Sequence, residues 1–403
     1  MAEAGFSDAR VRHLNAVMRE HVDRGALPGL VTAISRRAET HLNALGTTAA
    51  GGSTRMQNNS IFRLDSLTKP IAAVAALILV EECRLRLDDP VDELLPELAN
   101  REVLREINGP LADTVPAERA ITLRDLLTLR MGLGHIMARS SDWPIQQALN
   151  PLPVLKPFPK PGGRPANDTW LRAVASLPLM HQPGEKWLYD LGMDVLGVLV
   201  ARAAGKSLPA FMSERIFEPL GMKDTAFHVP TEKLERFTAS YMGGTEPGEL
   251  HLHDGIEDSA WRHAPAFCSA ASGLVSTAED VLVFAQMMLD GGKHGRHRIL
   301  SRPTIEAMSV DQITPEQKRV SPFFPGFWSN TGWGLGFSIV TGPDATPALP
   351  GRRGWDGGLG TSCYWDPREG CVGVLLTQLA VTSANAQAIR QDFWTSVYGA
   401  FDD

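Results

Sequence analysis

The chain has 403 residues, 43% hydrophobic and 21% charged, an ordinary globular composition with length enough for two structural lobes. Its formal charge of −7 and the lack of any dense Lys/Arg stretch with interleaved aromatics exclude a nucleic-acid partner, because phosphate neutralisation needs a basic face. The longest apolar run, Ile71 to Val80, covers ten residues, too few to span a bilayer, so no membrane partner is expected.

From the N-terminus, Met-Ala-Glu-Ala-Gly-Phe-Ser-Asp lacks a basic flank followed by an apolar stretch and does not read as a secretory signal. Residues 7–24 place Val11, Leu14, Val17, Met18 and Val22 on one helical face, and Pro28-Gly29 ends that helix. Leu30 to Ser35 and His41 to Leu45 read as strands, with Gly51-Gly52 as a turn. A helix is predicted from near Ser66 to about Cys83; Pro70 fits its first turn, where a proline sacrifices no intrahelical bond. Thr122 to Leu129 starts on a good N-cap residue. Residues 150–166 are rich in proline and glycine and read as an irregular loop. Asp194 to Ala204 and Leu208 to Phe217 are helical in period, and residues 241–266, Gly- and His-rich, read as a long loop beside a cleft.

Beyond about residue 268 the pattern changes. Ser276-Thr-Ala-Glu279 reads as a capping box opening a helix over Val281 to Leu289. Gly334 to Val340, Ser362 to Trp365 and Val372 to Leu376 read as short strands, the last apolar throughout and therefore central in a sheet. Ala384 to Tyr398 reads as a closing helix. Cys83, Cys268, Cys363 and Cys371 are scattered with no Cys-x-x-Cys pair, which fits a reducing compartment and gives no zinc signature; a cytoplasmic location is the expectation. His251 and His253 lie close together but lack a third convincing ligand, so no metal and no cofactor is expected.

Chemistry concentrates first in Phe62-Arg-Leu-Asp-Ser-Leu-Thr-Lys-Pro70. Ser66 and Lys69 are three apart, which at a helix start puts both side chains on one face. A serine hydroxyl needs a group to take its proton. Lys69 can do so if burial beside Ile71 to Val80 lowers its pKa. Gly-x-Ser-x-Gly and His-Glu-x-x-His are both absent. Tyr189, in Pro183-Gly-Glu-Lys-Trp-Leu-Tyr-Asp190, is either a third proton carrier in a cleft or an amphipathic packing residue. Gly354-Trp-Asp-Gly-Gly-Leu-Gly-Thr-Ser362 is either a plain turn or a segment whose N–H groups complete an oxyanion hole with that of Ser66. Phe323, Phe324, Phe327, Trp328 and Trp333 either line an apolar pocket or pack the core.

In this order, Ser66-Leu-Thr-Lys69, Pro-Gly-x-x-Trp with Tyr189, and Trp355-Asp-Gly357 resemble the serine β-lactamase-like superfamily, and within it family VIII carboxylesterases, relatives of class C β-lactamases. Ile121-Thr-Leu-Arg-Asp-Leu-Leu-Thr128, Ser272-Gly-Leu-Val-Ser-Thr277 and Gly332-Trp-Gly-Leu-Gly336 support the likeness, which runs from about residue 10 to 398. The resemblance implies an α+β fold, an antiparallel sheet flanked by terminal helices plus a mainly helical lobe. Residues 1–65 and 268–403 would form the first lobe and 66–267 the second, with the site between. It also implies Ser66 as nucleophile, Lys69 as base, Tyr189 as proton shuttle, and the N–H groups of Ser66 and Gly358 as the oxyanion hole. Trp355, Asp356 and Gly357 would contact substrate, Asp356 as either a polar contact or a turn residue.

Two departures bear on the substrate. Tyr189-Asp-Leu191 replaces the Tyr-x-Asn of class C β-lactamases, and Trp355-Asp-Gly357 replaces their Lys-Thr-Gly. The second removes a cation that would hold a β-lactam carboxylate. The expected partner is thus a small-molecule ester of short to medium acyl chain. Amide or D-amino-acid peptide hydrolysis, weak β-lactamase action, acyl transfer and binding without turnover are the alternatives; oligomeric state is not set by these features.

Overall fold

Two strands from opposite ends of the chain, Gly29–Arg36 and Cys371–Thr377, are buried along their whole length and pair antiparallel, Leu30 opposite Thr377 and Arg36 opposite Cys371. Their side chains alternate by the strand period of two. Leu30 and Ile34 join the core under the terminal helices, while Val31 and Ala33 join the larger core on the other face. A strand covered on both faces must be apolar throughout, which is why these segments carry the plainest strand signal in the sequence. In the computed structural model, which describes residues 5–37, 39–136, 143–150, 158, 160–244, 248–343 and 346–402, they are the centre of a seven-stranded antiparallel sheet. Its order is Thr331–Trp333, Ser338–Val340, Arg353–Gly357, Thr361–Asp366, Cys371–Thr377, Gly29–Arg36, Glu39–Gly46.

Helices Asp8–Asp23 and Ala384–Gly399 pack on each other and on one face of the sheet; Ala278–Leu289 packs on the other. Most helices lie between the two ends of the sheet. The central one, Thr68–Glu81, is buried at every position from Thr68 to Leu79 and packs on Leu191–Ala204. This α+β architecture is the one expected. Among the described residues no single helix is long and apolar enough to cross a membrane.

Several local expectations need correction. Residues 241–266 are not a plain loop: Ser240–Gly243 and Leu250–Asp254 pair as two antiparallel strands. They are fixed by a long-range contact invisible in local pattern, the ion pair of Asp254 with Arg63, both buried. Helix Ala278–Leu289 is capped by Thr277, whose hydroxyl accepts from the Asp280 N–H at 3.2 Å; Ser276 instead pairs with Phe62 in a two-residue strand. Of the stretch Gly334 to Val340 only Ser338–Val340 is strand; residues 334–337 turn the chain back so that it pairs with Thr331–Trp333. The glycine-rich segment read as preceding a strand is itself one, Arg353–Gly357. The segment Leu208 to Phe217 changes from α-helix to a π-type turn at Ser213. Of the proline-rich stretch at 150–166, residues 151–157 and 159 lie outside the described residues.

Candidate active site

The nucleophile segment is pinned from both sides before the helix begins. Phe62–Arg63 pairs with Val275–Ser276, and the Leu64 N–H donates to the Leu274 carbonyl at 2.8 Å. The Leu64 carbonyl accepts from the Thr361 hydroxyl at 2.8 Å, tying the segment to the sheet. The chain then turns through Asp65 in the left-handed region, φ 48°, which Asp tolerates better than most residues. Asp65–Leu67 forms a 3₁₀ turn and Thr68 starts the α-helix, so Ser66 sits on the turn just ahead of it.

Lys69, fully buried, brings its ammonium to Ser66 Oγ at 2.9 Å, the Ala271 carbonyl at 2.9 Å and an Asp190 carboxylate oxygen at 2.6 Å. Those three acceptors match its three N–H donors. Its Nζ also lies 4.4 Å from the centre of the Tyr189 ring. The Ala271 carbonyl is held in place because Asp194 accepts from the Ala271 N–H at 3.1 Å and from the Ser269 hydroxyl at 2.6 Å, while pairing with Arg164. Burial pulls the Lys69 pKa down, as the sequence suggests. Asp190, then Tyr189 and Asp65, push it up further, and the net displacement is above the ordinary lysine value. The apolar helix alone therefore does not make Lys69 a base; its charged partner must take part.

Tyr189 packs against Trp187, Phe323, Trp333 and Trp355, and its hydroxyl accepts from the Trp355 indole N–H at 2.7 Å. Burial raises its pKa, against the lowering effects of Lys69 and of a hydrogen bond with the Ser66 side chain. Ser66, Lys69 and Tyr189 thus converge, although 120 residues separate the last two in sequence.

The other expected residues divide. Trp355 is buried and directed at Tyr189 and Trp333, a support for the tyrosine more than an open wall. Asp356, one place along the strand, faces the opposite side of the sheet. Its carboxylate accepts from Ser362 at 2.6 Å and Tyr364 at 3.1 Å and pairs with Arg390, so the structure does not bring it to the serine. Gly357 packs on Leu64 and Thr361 at the seam with the nucleophile segment. Ser66 and Gly358 both adjoin the buried Asp65 carboxylate, one oxygen of which lies against Gly358. Phe323, Phe327 and Trp333 are buried around Trp187 and Tyr189, whereas Phe324 is 51% exposed. His251 pairs with Glu249 at 3.2 Å and His253 packs against Phe158, away from one another's chemistry. Among the described residues no group of three His, Cys, Asp or Glu is placed to hold a metal.

Asp65 and Asp190 escape sequence reasoning. Each adjoins a candidate catalytic residue, Ser66 and Tyr189, and that adjacency was the available signal. Asp190 fills the unspecified middle place of Tyr189-Asp-Leu191, and the missing asparagine is at Leu191. The Asp190 backbone, φ 83° and ψ −65°, is unusual, and that turn is what aims the carboxylate at Lys69.

The Beta-lactamase family model matches residues 14–392. Protein Rv1367c of Mycobacterium tuberculosis is 37% identical over 383 residues, covering 93% of this chain and 92% of that protein. Esterase EstB of Burkholderia gladioli is 31% identical over 387 residues, covering 91% and 90%. Among solved structures, EstCE1, a hydrolase with promiscuous acyltransferase activity, superposes with a TM-score of 0.80 at 25% identity over 97% of this chain and 99% of that one. A match of this extent leaves no segment of the site outside the shared fold: the chain belongs to the beta-lactamase family, among relatives that include esterases.

Proposed function

We propose that this protein is a serine hydrolase that cleaves carboxylic esters of short to medium acyl chain through an acyl-enzyme on Ser66. The observation that carries the reading is the 2.9 Å contact between Ser66 Oγ and a Lys69 ammonium that is itself paired with Asp190. In the proposed sequence Lys69 passes a proton to Asp190 and takes the Ser66 hydroxyl proton as Oγ bonds to the acyl carbon. The bond to the leaving alkoxide then breaks, and the proton reaches the alcohol oxygen by way of Lys69 or the Tyr189 hydroxyl. Water repeats the attack on the acyl-enzyme, the carboxylic acid leaves, and Ser66 regains its proton. By the sequence resemblance, Trp355 replaces the lysine of the β-lactamase Lys-Thr-Gly, and its indole N–H is engaged by Tyr189, which supports esters over β-lactams. EstB supports the same substrate class by its name.

Replacing Ser66 by Ala is expected to lower kcat/KM on p-nitrophenyl butyrate by about a thousandfold or more, since nucleophile and base act as a unit. Retention of the parent rate would overturn the assignment. Acyl transfer to an alcohol acceptor is the second reading, favoured by the near-complete superposition on EstCE1. Product analysis in the presence of an added alcohol separates it from hydrolysis.

A further inference from the structure

A buried carboxylate, that of Asp65, lies beside the two residues proposed as the oxyanion hole, Ser66 and Gly358. Asp65 is only 6% exposed, and the backbone N–H groups of Gly358 and Ser66 act on its carboxylate, opposing the rise in pKa that burial causes. Independently, a side chain built on Gly358 would begin 2.7 Å from an Asp65 carboxylate oxygen, so the carboxylate lies directly against that glycine, with the Phe158 ring beside it. Asp65 itself sits in the left-handed backbone region, φ 48°. Among the described residues the charged and titratable groups acting on it are Lys69 from the nucleophile helix and Asp190 and Tyr189 from the turn before Leu191–Ala204. One cation and two carboxylates leave this cluster net negative when all three are ionised.

Resting on the hydrolase reading above, we infer that Asp65 sets the charge of substrate the site accepts: its carboxylate fills the oxyanion hole, an acyl donor enters by displacing it, and neutral or cationic esters are thereby favoured over anionic ones. A carboxylate is a stronger acceptor than an ester carbonyl, so displacement has a cost that every substrate meets. When attack turns the carbonyl into an oxyanion, two negative groups would compete for the same N–H pair, and an ionised Asp65 must have left. A substrate carrying its own negative charge near the carbonyl meets a further repulsion from Asp65 and Asp190. Burial lifts the Asp65 pKa to about 6, against the opposing pull of Lys69, so the hole is released as pH falls through that range.

The test compares the parent with Asp65→Asn and Asp65→Gly, residue types that both tolerate the left-handed backbone. The substrates are two p-nitrophenyl esters differing only in a sulfonate or a neutral sulfonamide on the acyl chain, assayed at pH 5 and pH 8. At pH 8 each variant should raise kcat/KM on the sulfonate ester by about tenfold and on the sulfonamide ester by less, a spread set by charge repulsion. At pH 5 both variant-to-parent ratios should approach one. Equal ratios for the two esters, or ratios that do not change with pH, would overturn the inference. Should neither variant fold, the parent carries the test, because its preference for the neutral ester must narrow between pH 8 and pH 5; a constant preference overturns it. Ser66→Ala in the same assays distinguishes the two levels. Ser66-dependent hydrolysis lacking the charge and pH signature overturns the Asp65 assignment alone, whereas hydrolysis surviving Ser66→Ala overturns the hydrolase reading and this inference together.

Discussion

Lys69 is held between an alcohol whose proton it must take and a carboxylate that keeps it charged. The 2.6 Å pairing with Asp190 means the resting lysine is an ammonium, and its conversion to a base depends on Asp190 accepting a proton. Asp190→Asn removes that acceptor and the largest charge raising the Lys69 pKa. In kcat/KM against pH, the limb that rises as Lys69 loses its proton should move to lower pH, and the plateau should fall by roughly a hundredfold as the relay is cut. The variant should also lose about 3 kcal/mol in urea unfolding, because a buried ammonium is left with less compensation. A pH profile that keeps its parental position would remove Asp190 from any part in setting the lysine. Ser66 and Lys69 were legible because three-residue spacing at the mouth of an apolar helix is a local fact. The two aspartates were not, because what a carboxylate does depends on which N–H or ammonium the fold places 3 Å away.

Among the elements, the site depends on the nucleophile helix being wedged between the sheet and the other helices. Gly336, φ 98°, lies in the turn between Thr331–Trp333 and Ser338–Val340, and a side chain there would run into the methyl of Ala73 on that helix. Gly336→Val therefore combines overpacking with a left-handed backbone that a β-branched residue resists. A loss of about 3 kcal/mol in urea unfolding is expected, with a fall in kcat/KM as the first turn carrying Lys69 shifts. An unchanged urea midpoint would show that the helix can yield there. The same turn explains why the strand predicted over Gly334 to Val340 is broken: close approach of the helix requires a reversal at the glycine, and the sequence shows the glycine but not the helix. Arg353–Gly357 was missed for the converse reason. Its glycines resemble a loop, yet backbone pairing with Ser338–Ile339 on one side and Thr361–Trp365 on the other makes it a strand.

For the molecule as a whole, several carboxylates tie distant segments together and set its response to acid. Asp224 bonds Arg236 at 2.7 Å and Lys233 at 2.8 Å; despite its burial, these partners lower its pKa to about 2. Asp254 is likewise held below the ordinary range: burial opposes this, but Arg63 outweighs it. A carboxylate whose folded pKa lies below its unfolded value contributes stability that is present above about pH 4 and is lost as pH falls through the folded pKa. The urea midpoint is therefore expected to drop between pH 4 and pH 2. Asp224→Asn should cost about 1 kcal/mol at pH 7 after allowance for solvent screening, and the difference from the parent should vanish near pH 2. A difference that persists undiminished to pH 2 would mean that packing, not charge, is what Asp224 supplies.

Taken alone, the sequence determined the features that depend on near neighbours along the chain. The apolar alternation of Leu30 to Ser35 and Val372 to Leu376, the uninterrupted burial of the nucleophile helix, and the Ser66–Lys69 spacing are written in a few consecutive residues, and the resemblance of the ordered motifs supplied the α+β fold. Tertiary structure decided everything that needs two distant segments to meet. It turned Asp356 to the far side of the sheet, paired Arg63 with Asp254 across 191 positions, spent the Trp355 indole on Tyr189, and set Asp65 and Asp190 against the proposed oxyanion hole and base. The physical reason is range. Periodicity and capping act over one or two turns, whereas a hydrogen bond or a charge acts over a few ångströms of space, and only the folded chain says which residues lie within them.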